Sequence, residues 1–264
     1  MLDELRLPLV VLLLASLALV CLGPGCRDEP EDEPPPPARV PSSFVDPHER
    51  DVDAYKAIVR KSVGRGEPLH PLFGPRSRSE GVVGKLALKP DDVVADVGCG
   101  TGAMELMMLE TGVAFGKLYA VDVDGEALAF LEFALEQARP AGADKVEVVK
   151  SSYSDVTLPA ASVDVLFLLN TPFYLNDKGE RIADPTATQC LRSIHRALKP
   201  DGRLHVFERS LTPAETDWCE AIRATFTDLG FRKIESAMIG IGVPGEGDHC
   251  WTSFAPDPAP GGPG

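Results

Sequence analysis

From about residue 80 the chain alternates short apolar runs of four to seven residues with longer stretches whose apolar positions recur at helical spacing. Val93 to Val97 is a Val-rich run of the kind found in strands covered on both faces. Gly98, Gly100 and Gly102 follow at every second position, and Ala103 to Glu110 (AMELMMLE) is a strong helix former. Lys117 to Asp122 is a second strand with its core at Leu118 to Val121, and Glu126 to Arg139 is the helix after it. Val146 to Lys150 and Val163 to Asn170 are the next two strands, separated by Ser151-Ser152-Tyr153-Ser154-Asp155 and Leu158-Pro159. Thr186 to Leu198 is a helix that buries Cys190, Leu191, Ile194 and Leu198, and Lys199-Pro200-Asp201-Gly202 should end it in a turn. Arg203 to Glu208 is a strand, Pro213 to Leu229 a helix, and Phe231 to Ile239 and His249 to Phe254 the last strands. The short link Gly242 to Gly247 suits an antiparallel pair.

Strand, glycine loop and helix in that order make a site for a nucleotide-type ligand. Glycines let the backbone turn sharply and come close to a ligand, and a helix N-terminus then faces it. The spacing departs from the dinucleotide pattern G-x-G-x-x-G, because Ala103 stands where its third glycine would be. Asp96, two residues before Gly98, is poorly placed beside a pyrophosphate and suits a ligand that carries an ammonium or sulfonium group. About 20 residues further on, Asp122 is placed to accept from ribose hydroxyls, whereas Asp124 suits the N-cap of the next helix.

These residues resemble the class I S-adenosylmethionine-dependent methyltransferases, whose first motif is a D/E-x-G-x-G-x-G loop. Asp96, Gly98, Gly100 and Gly102 match it position by position, and Leu198-Lys199-Pro200-Asp201-Gly202-Arg203-Leu204 looks like the family's LKPGG-R-L segment. The resemblance spans residues 79 to 254. It implies an α/β, Rossmann-like, doubly wound and mostly parallel seven-stranded sheet with an antiparallel last strand. It also implies S-adenosylmethionine as cofactor, with Asp96, Gly98, Cys99, Gly100, Gly102, Asp122, Val123, Asp155 and Asn170 in the binding site. Asp155 would accept from the adenine amine, with a turn or N-cap acid as the alternative, and Tyr153 or Val156 would touch the ring. Asn170-Thr171-Pro172-Phe173-Tyr174 faintly resembles the N-P-P-F/Y motif of amino-group methyltransferases, with Thr171 in place of the first proline. Asn170 and Tyr174 are therefore the candidate catalytic pair, and a strand-end cap with a core aromatic is the alternative. No histidine follows directly to act as a base. His195 reads as structural, and His48, His70 and His249 fall in or near rim segments.

The rest of the chain sets the surroundings. Among 264 residues the formal net charge is −14, which disfavours a nucleic-acid substrate. Arg60, Lys61, Arg65, Arg76 and Arg78 form a local basic cluster, read as a solvated face or the rim of a lid. That lid would comprise a helix from Val52 to Val63 and a Gly/Pro-rich loop from Gly64 to Ser79, with Arg76 or Arg78 near a cofactor carboxylate or a substrate anion. Leu7 to Leu22 is an apolar run of about 16 residues, the length of a signal-peptide core. With Gly25-Cys26 after it, the segment resembles a lipoprotein signal in which Cys26 is lipidated, although Asp3 and Glu4 sit where positive charge is expected. An uncleaved signal anchor is the alternative.

The expected order is thus a signal or anchor (1–26), an acidic Pro-rich tether (27–43), a methyltransferase domain (44–254, with lid 44–78 and core 79–254) and a disordered tail (255–264). The expected location is the cell envelope, facing the periplasm and held to the membrane by the N-terminus. Cysteines show no metal-ligand spacing, so no metal is expected; a Cys219–Cys250 disulfide is conceivable in an exported domain, but free buried thiols are favoured. The acceptor would be a small molecule or a protein side chain. The competing functions are a catalytically silent cofactor-binding module and, less favoured, an NAD-dependent oxidoreductase.

Overall fold

The computed structural model describes residues 52–69, 76–171, 173–175, 181–209, 218–239 and 249–257. The signal, the tether, His48, His70, Pro172, the Gly242 to Gly247 link and the chain beyond 257 lie outside the described residues. So do the side chains of Arg76 and Arg78.

Seven strands form one sheet in the order β3-β2-β1-β4-β5-β7-β6. They are β1 (Val93–Val97), β2 (Lys117–Asp122), β3 (Val146–Lys150), β4 (Val163–Leu169), β5 (Leu198–Arg209), β6 (Phe231–Ile239) and β7 (His249–Pro256). β1 to β5 run parallel, and β7 is inserted antiparallel between β5 and β6. The chain starts in the centre at β1, winds outward to β3, then returns to the other side of β1 with β4. In a sheet wound this way the crevice between the carboxyl ends of β1 and β4 is where a ligand binds. The doubly wound sheet expected from the sequence is the one observed.

The helices are α1 (Val52–Gly64), α2 (Arg76–Leu86), α3 (Ala103–Glu110), α4 (Gly125–Ala138), α5 (Pro185–Ala197) and α6 (Trp218–Thr227). The strands alternate between two cores. Ala95, Val121, Leu166, Leu168 and Val206 face Leu191 and Ile194 of α5 and Phe226 of α6. Val94, Leu118, Val165, Phe167 and Phe207 face Leu86 of α2 and Met104, Met107 and Met108 of α3. Local chemistry sets the helix ends: Asp124 caps α4 by accepting from Glu126 N and Ala127 N, and Asp184 caps α5 through Thr186 N with Pro185 behind it.

Four expectations change. The loop from Gly64 to Ser79 is interrupted by α2, which begins at Arg76 and continues to Leu86. The Lys199 to Gly202 turn is part of β5, which bulges so that Val163 pairs with Leu198 and Val165 with Arg203. The cause is Asp164, opposite the bulge: its carboxylate takes Lys199 Nζ at 2.8 Å and Val93 N at 2.9 Å. A Cβ at Gly202 would lie 2.9 Å from Val163 O, so the bulge accepts only glycine. The last strand runs to Pro256, past the expected boundary at Phe254, because Ala255 and Pro256 pair with Arg232 and Phe231. Finally, Cys219 and Cys250 are joined in a disulfide between α6 and β7, while Cys99 and Cys190 are free and buried.

The basic cluster at the start of the domain also resolves into packing. Arg60 and Lys56 stand over the Phe133 ring of α4 at 5.2 and 5.4 Å, and Arg65 pairs with Glu67 at 3.6 Å. Val59 and Leu69 share a buried cluster with Cys99 and Leu128, so this segment packs against the glycine loop from the α4 side.

Candidate active site

The glycine loop leaves β1 at Val97 and turns at once. Gly98 N and Cys99 N donate to Val121 O at 2.8 and 3.2 Å, tying the loop to β2. Gly98, Gly100 and Gly102 have φ of +85°, +55° and +88°, a region that costs other residues about 1–2 kcal/mol. The three glycines differ in what surrounds them. A Cβ on Gly98 would sit 2.4 Å from the Thr171 side chain, and one on Gly102 would sit 2.3 Å from Leu131 Cδ1. A Cβ on Gly100 would meet nothing within 4 Å. Gly98 and Gly102 are thus needed for packing, and Gly100 lies at the open face of the loop.

Asp122 completes the loop. Its Oδ2 accepts from Gly100 N and its Oδ1 from Asp124 N, both at 2.8 Å. A carboxylate has about four lone-pair sites, so two remain for a ligand. Val123 follows Asp122 in the turn to α4 and is half-buried. Asp124 serves the helix cap, as its position suggested.

Beneath the loop lies a feature that sequence reasoning passed over. Asp96 and Glu105 are both buried, at 2% and 0% exposure, and Asp96 Oδ1 and both Glu105 oxygens have no hydrogen-bond partner beyond the pair itself. Burial, then the neighbouring Glu105, hold the Asp96 carboxyl well above the usual range. Burial likewise pushes Glu105 up to about 7. Its one sequence signal is an acid inside the apolar run AMELMML. Cys99 is pushed up by burial and by these acids, so it is a neutral thiol and no nucleophile.

Across the crevice, β4 ends at Asn170, a non-glycine residue with φ +52°. Residues held in this region cluster at functional sites. Asn170 N donates to Phe207 O at 2.8 Å, and the side chain is exposed. Its Oδ1 lies 3.0 Å from His249 Nε2 at the start of β7. An amide oxygen only accepts, so Nε2 carries the proton. Antiparallel insertion of β7 is what brings His249 to the carboxyl ends of β4 and β5, a placement invisible to local pattern.

Tyr174 differs from its expected role. It is 1% exposed, stacks edge-on against Phe226, and gives its hydroxyl to Glu208 Oε1 at 3.1 Å. It is a core residue. Glu208, 1% exposed and pushed up to about 8 by burial, also accepts from Thr171 N at 3.2 Å. Glu208 therefore clasps the segment after β4 from behind, and Thr171 carries that segment onto Gly98.

Asp155 has partners within the protein. Arg196 donates to both its oxygens at 2.8 and 3.0 Å, and Thr157 N donates at 2.7 Å. Arg196 sits in the last turn of α5, which leads into the amino-terminal start of β5. The loop that carries Asp155 also reaches the carboxyl end of β3, where Thr157 Oγ1 donates to Lys150 O at 3.3 Å. Of the expected ring contacts, Val156 is buried in the core and Tyr153 is 76% exposed. Two histidines are structural: His195 Nε2 bonds Gly230 O at 3.1 Å, and burial holds His205, bonded by the Trp251 indole, down to about 3.

Residues 95–206 match the family model described as a methyltransferase domain. Solved structures share the fold. A SAM-dependent methyltransferase from Aquifex aeolicus is 22% identical, with 76% of this chain and 97% of that chain covered and a TM-score of 0.51. A glycopeptide N-methyltransferase complexed with sinefungin is 13% identical over 70% and 87% of the two chains, TM-score 0.55. Geranyl diphosphate C-methyltransferase from Streptomyces coelicolor, in complex with Mg2+, geranyl diphosphate and S-adenosyl-L-homocysteine, is 16% identical over 75% and 83%, TM-score 0.50. Residues 95–206 are thus similar to a methyltransferase domain, and the sheet around them has the fold of these methyltransferases. The residues present fit S-adenosylmethionine, the cofactor that the sequence implied: open space at Gly100, spare lone pairs on Asp122 and a buried oxygen on Asp96 with no partner beyond Glu105.

Proposed function

We propose that the protein transfers the methyl group of S-adenosylmethionine to a small-molecule or protein acceptor seated at the carboxyl ends of β4, β5 and β7. The observation that carries this is the abutment of Gly98 on Thr171, which sets the exposed Asn170 beside the cofactor loop. Asp96 and the loop from Gly98 to Gly102 hold the amino-acid end, with Cys99 lining it, and Asp122 and Val123 take the ribose. The cofactor supplies a methyl already activated by its sulfonium, so the chain's task is alignment and exclusion of water. Asn170 orients the acceptor, and His249 fixes its amide by donating to Oδ1. With that oxygen occupied, Asn170 presents its NH2 to the acceptor. Glu208 keeps the backbone at Thr171 in place, and Tyr174 supports Glu208.

Titration calorimetry of wild type and Gly100→Val with S-adenosylmethionine tests the reading. The valine enters open space at an unfavourable φ, so folding should survive while binding heat disappears. Equal binding by the two proteins would remove the loop from the site.

We also propose that the domain works outside the cytoplasm, tethered to the membrane through residues 1 to 26, with Cys26 as the lipid site. Support comes from the apolar Leu7 to Leu22 run and from the Cys219–Cys250 disulfide, a bond that persists in oxidising compartments. Cys26→Ser should move the protein from the membrane fraction to the soluble one. A wild type that fractionates as soluble, with Cys219 open to thiol reagents, would overturn this location.

A further inference from the structure

We propose that Asp96 and Glu105 form a proton-sharing carboxyl pair behind the glycine loop that gives up its proton when the ammonium of S-adenosylmethionine arrives, with Glu105 acting through Asp96 as a positioning residue. The proposal rests on the cofactor assignment above and adds a residue and a proton to it.

The geometry has three parts. Asp96 closes β1 directly before the loop, and Glu105 comes down from the first turn of α3, so the two carboxyls meet inside the fold. Three of their four oxygens are buried with no hydrogen-bond partner beyond the pair itself. A buried carboxylate without a donor is costly, and two side by side cannot both ionise. One proton between them, or one cation beside them, removes the conflict.

The groups that face the pair are acids as well. Asp122 at the end of β2 raises both carboxyls, and the Cys99 thiol of the loop is raised in turn by Glu105, Asp96 and Asp122. The hydrogen bond between the two carboxyls raises Asp96 and lowers Glu105, so the proton they share sits on Asp96, and with Glu105 raised to about 7 the free protein near pH 6.5 holds it. A ligand cation next to Asp96 then favours the ionised pair and the proton leaves to solvent. Charge balances: one positive charge enters the site as the ammonium and one leaves as H+.

Calorimetry at pH 6.5 in buffers of different ionisation enthalpy counts protons released on binding. That pH lies below the titration of an ordinary α-amino group, about 7.7–8.0, so the ligand keeps its charge. Full-length wild type should release on the order of one proton with S-adenosylmethionine, and its affinity should rise about tenfold per pH unit below the pair's titration. Methylthioadenosine, which has neither ammonium nor sulfonium, should bind with release near zero. Glu105→Gln should still bind S-adenosylmethionine but release almost no proton, and its affinity should be nearly flat with pH. Equal proton release with the two ligands would overturn the pair's role without needing a variant. So would a Glu105→Gln protein that releases as many protons as wild type. Wild type that binds methylthioadenosine but not S-adenosylmethionine would defeat this proposal while leaving the nucleoside site standing; no binding of either would defeat the cofactor reading with it.

Discussion

At the β1–β2 end of the crevice the surface is mostly backbone: three positive-φ glycines, amides tied to Val121 O, and one acid holding Gly100 N. At the β4–β5–β7 end it is side chain: Asn170 held by His249, and Thr171 and Tyr174 held by Glu208. The first is assembled from residues close in sequence or on adjoining strands. The second joins residues up to 79 positions apart. In the proposed function the cofactor meets mostly backbone, and the acceptor meets side chains that can be exchanged. The two meet where Gly98 touches Thr171.

The contact itself is the place to break the arrangement. Gly98→Val would place a Cβ 2.4 Å from Thr171 at φ +85°. Backbone strain of about 1–2 kcal/mol and overpacking of about 1–3 kcal/mol together predict a loss of roughly 2–5 kcal/mol. Thermal melting should show it, and Thr171→Gly on top of Gly98→Val should restore part of it. An unaltered melt for Gly98→Val would mean that the two halves do not touch.

Glu208 gives a second, pH-dependent effect. Its folded pKa of about 8 lies above the ordinary Glu value, about 4.3. Between those values the folded state holds a proton that the unfolded chain has released. The stabilisation is therefore fully present below about pH 4 and is lost as pH rises through about 8, on the order of a few kcal/mol in all. Glu208→Gln keeps an acceptor for Thr171 N and Tyr174 without the ionisation, so its melting temperature should fall less between pH 5 and 8 than that of wild type. Parallel curves would show that Glu208 is ionised throughout.

Replacing the exposed amide should separate chemistry from cofactor binding. Asn170→Ala should lower turnover on the order of 100-fold while S-adenosylmethionine affinity stays within a few-fold, since alignment acts on the transition state. His249→Ala should follow in the same direction, more weakly. If Asn170→Ala loses cofactor affinity instead, the side chain belongs to the cofactor end. The smallest effect is expected at Asp122→Ala: at least a tenfold loss of cofactor affinity, from charge-assisted bonds of about 1.5–3 kcal/mol. Asp124→Ala should leave affinity nearly unchanged and cost helix stability, and the reverse pattern would exchange their roles.

Local sequence was enough to place the strand, glycine loop and helix from Val93 to Glu110, because glycine spacing and apolar runs report backbone conformation and burial directly. The same holds for Asp124, whose capping bonds reach only two and three residues ahead. The internal contacts of Tyr174 and Asp155 were missed for one shared reason. Each is used by a partner distant in sequence, Glu208 or Arg196, and neither partner leaves a local mark. Glu105 did leave one, an acid in an apolar run, but only the fold shows that it meets Asp96.

What the sequence determined by itself is therefore the order of elements and the glycine loop. Both depend on φ preferences and hydrophobic periodicity, which are properties of neighbouring residues. Tertiary structure alone decided which acids are buried against each other, that β7 carries His249 back to Asn170, and that Cys219 reaches Cys250. Those pairings depend on how strands are ordered across the sheet. Dielectric environment, and with it the charge of Asp96, Glu105 and Glu208, exists only once the chain has closed around them.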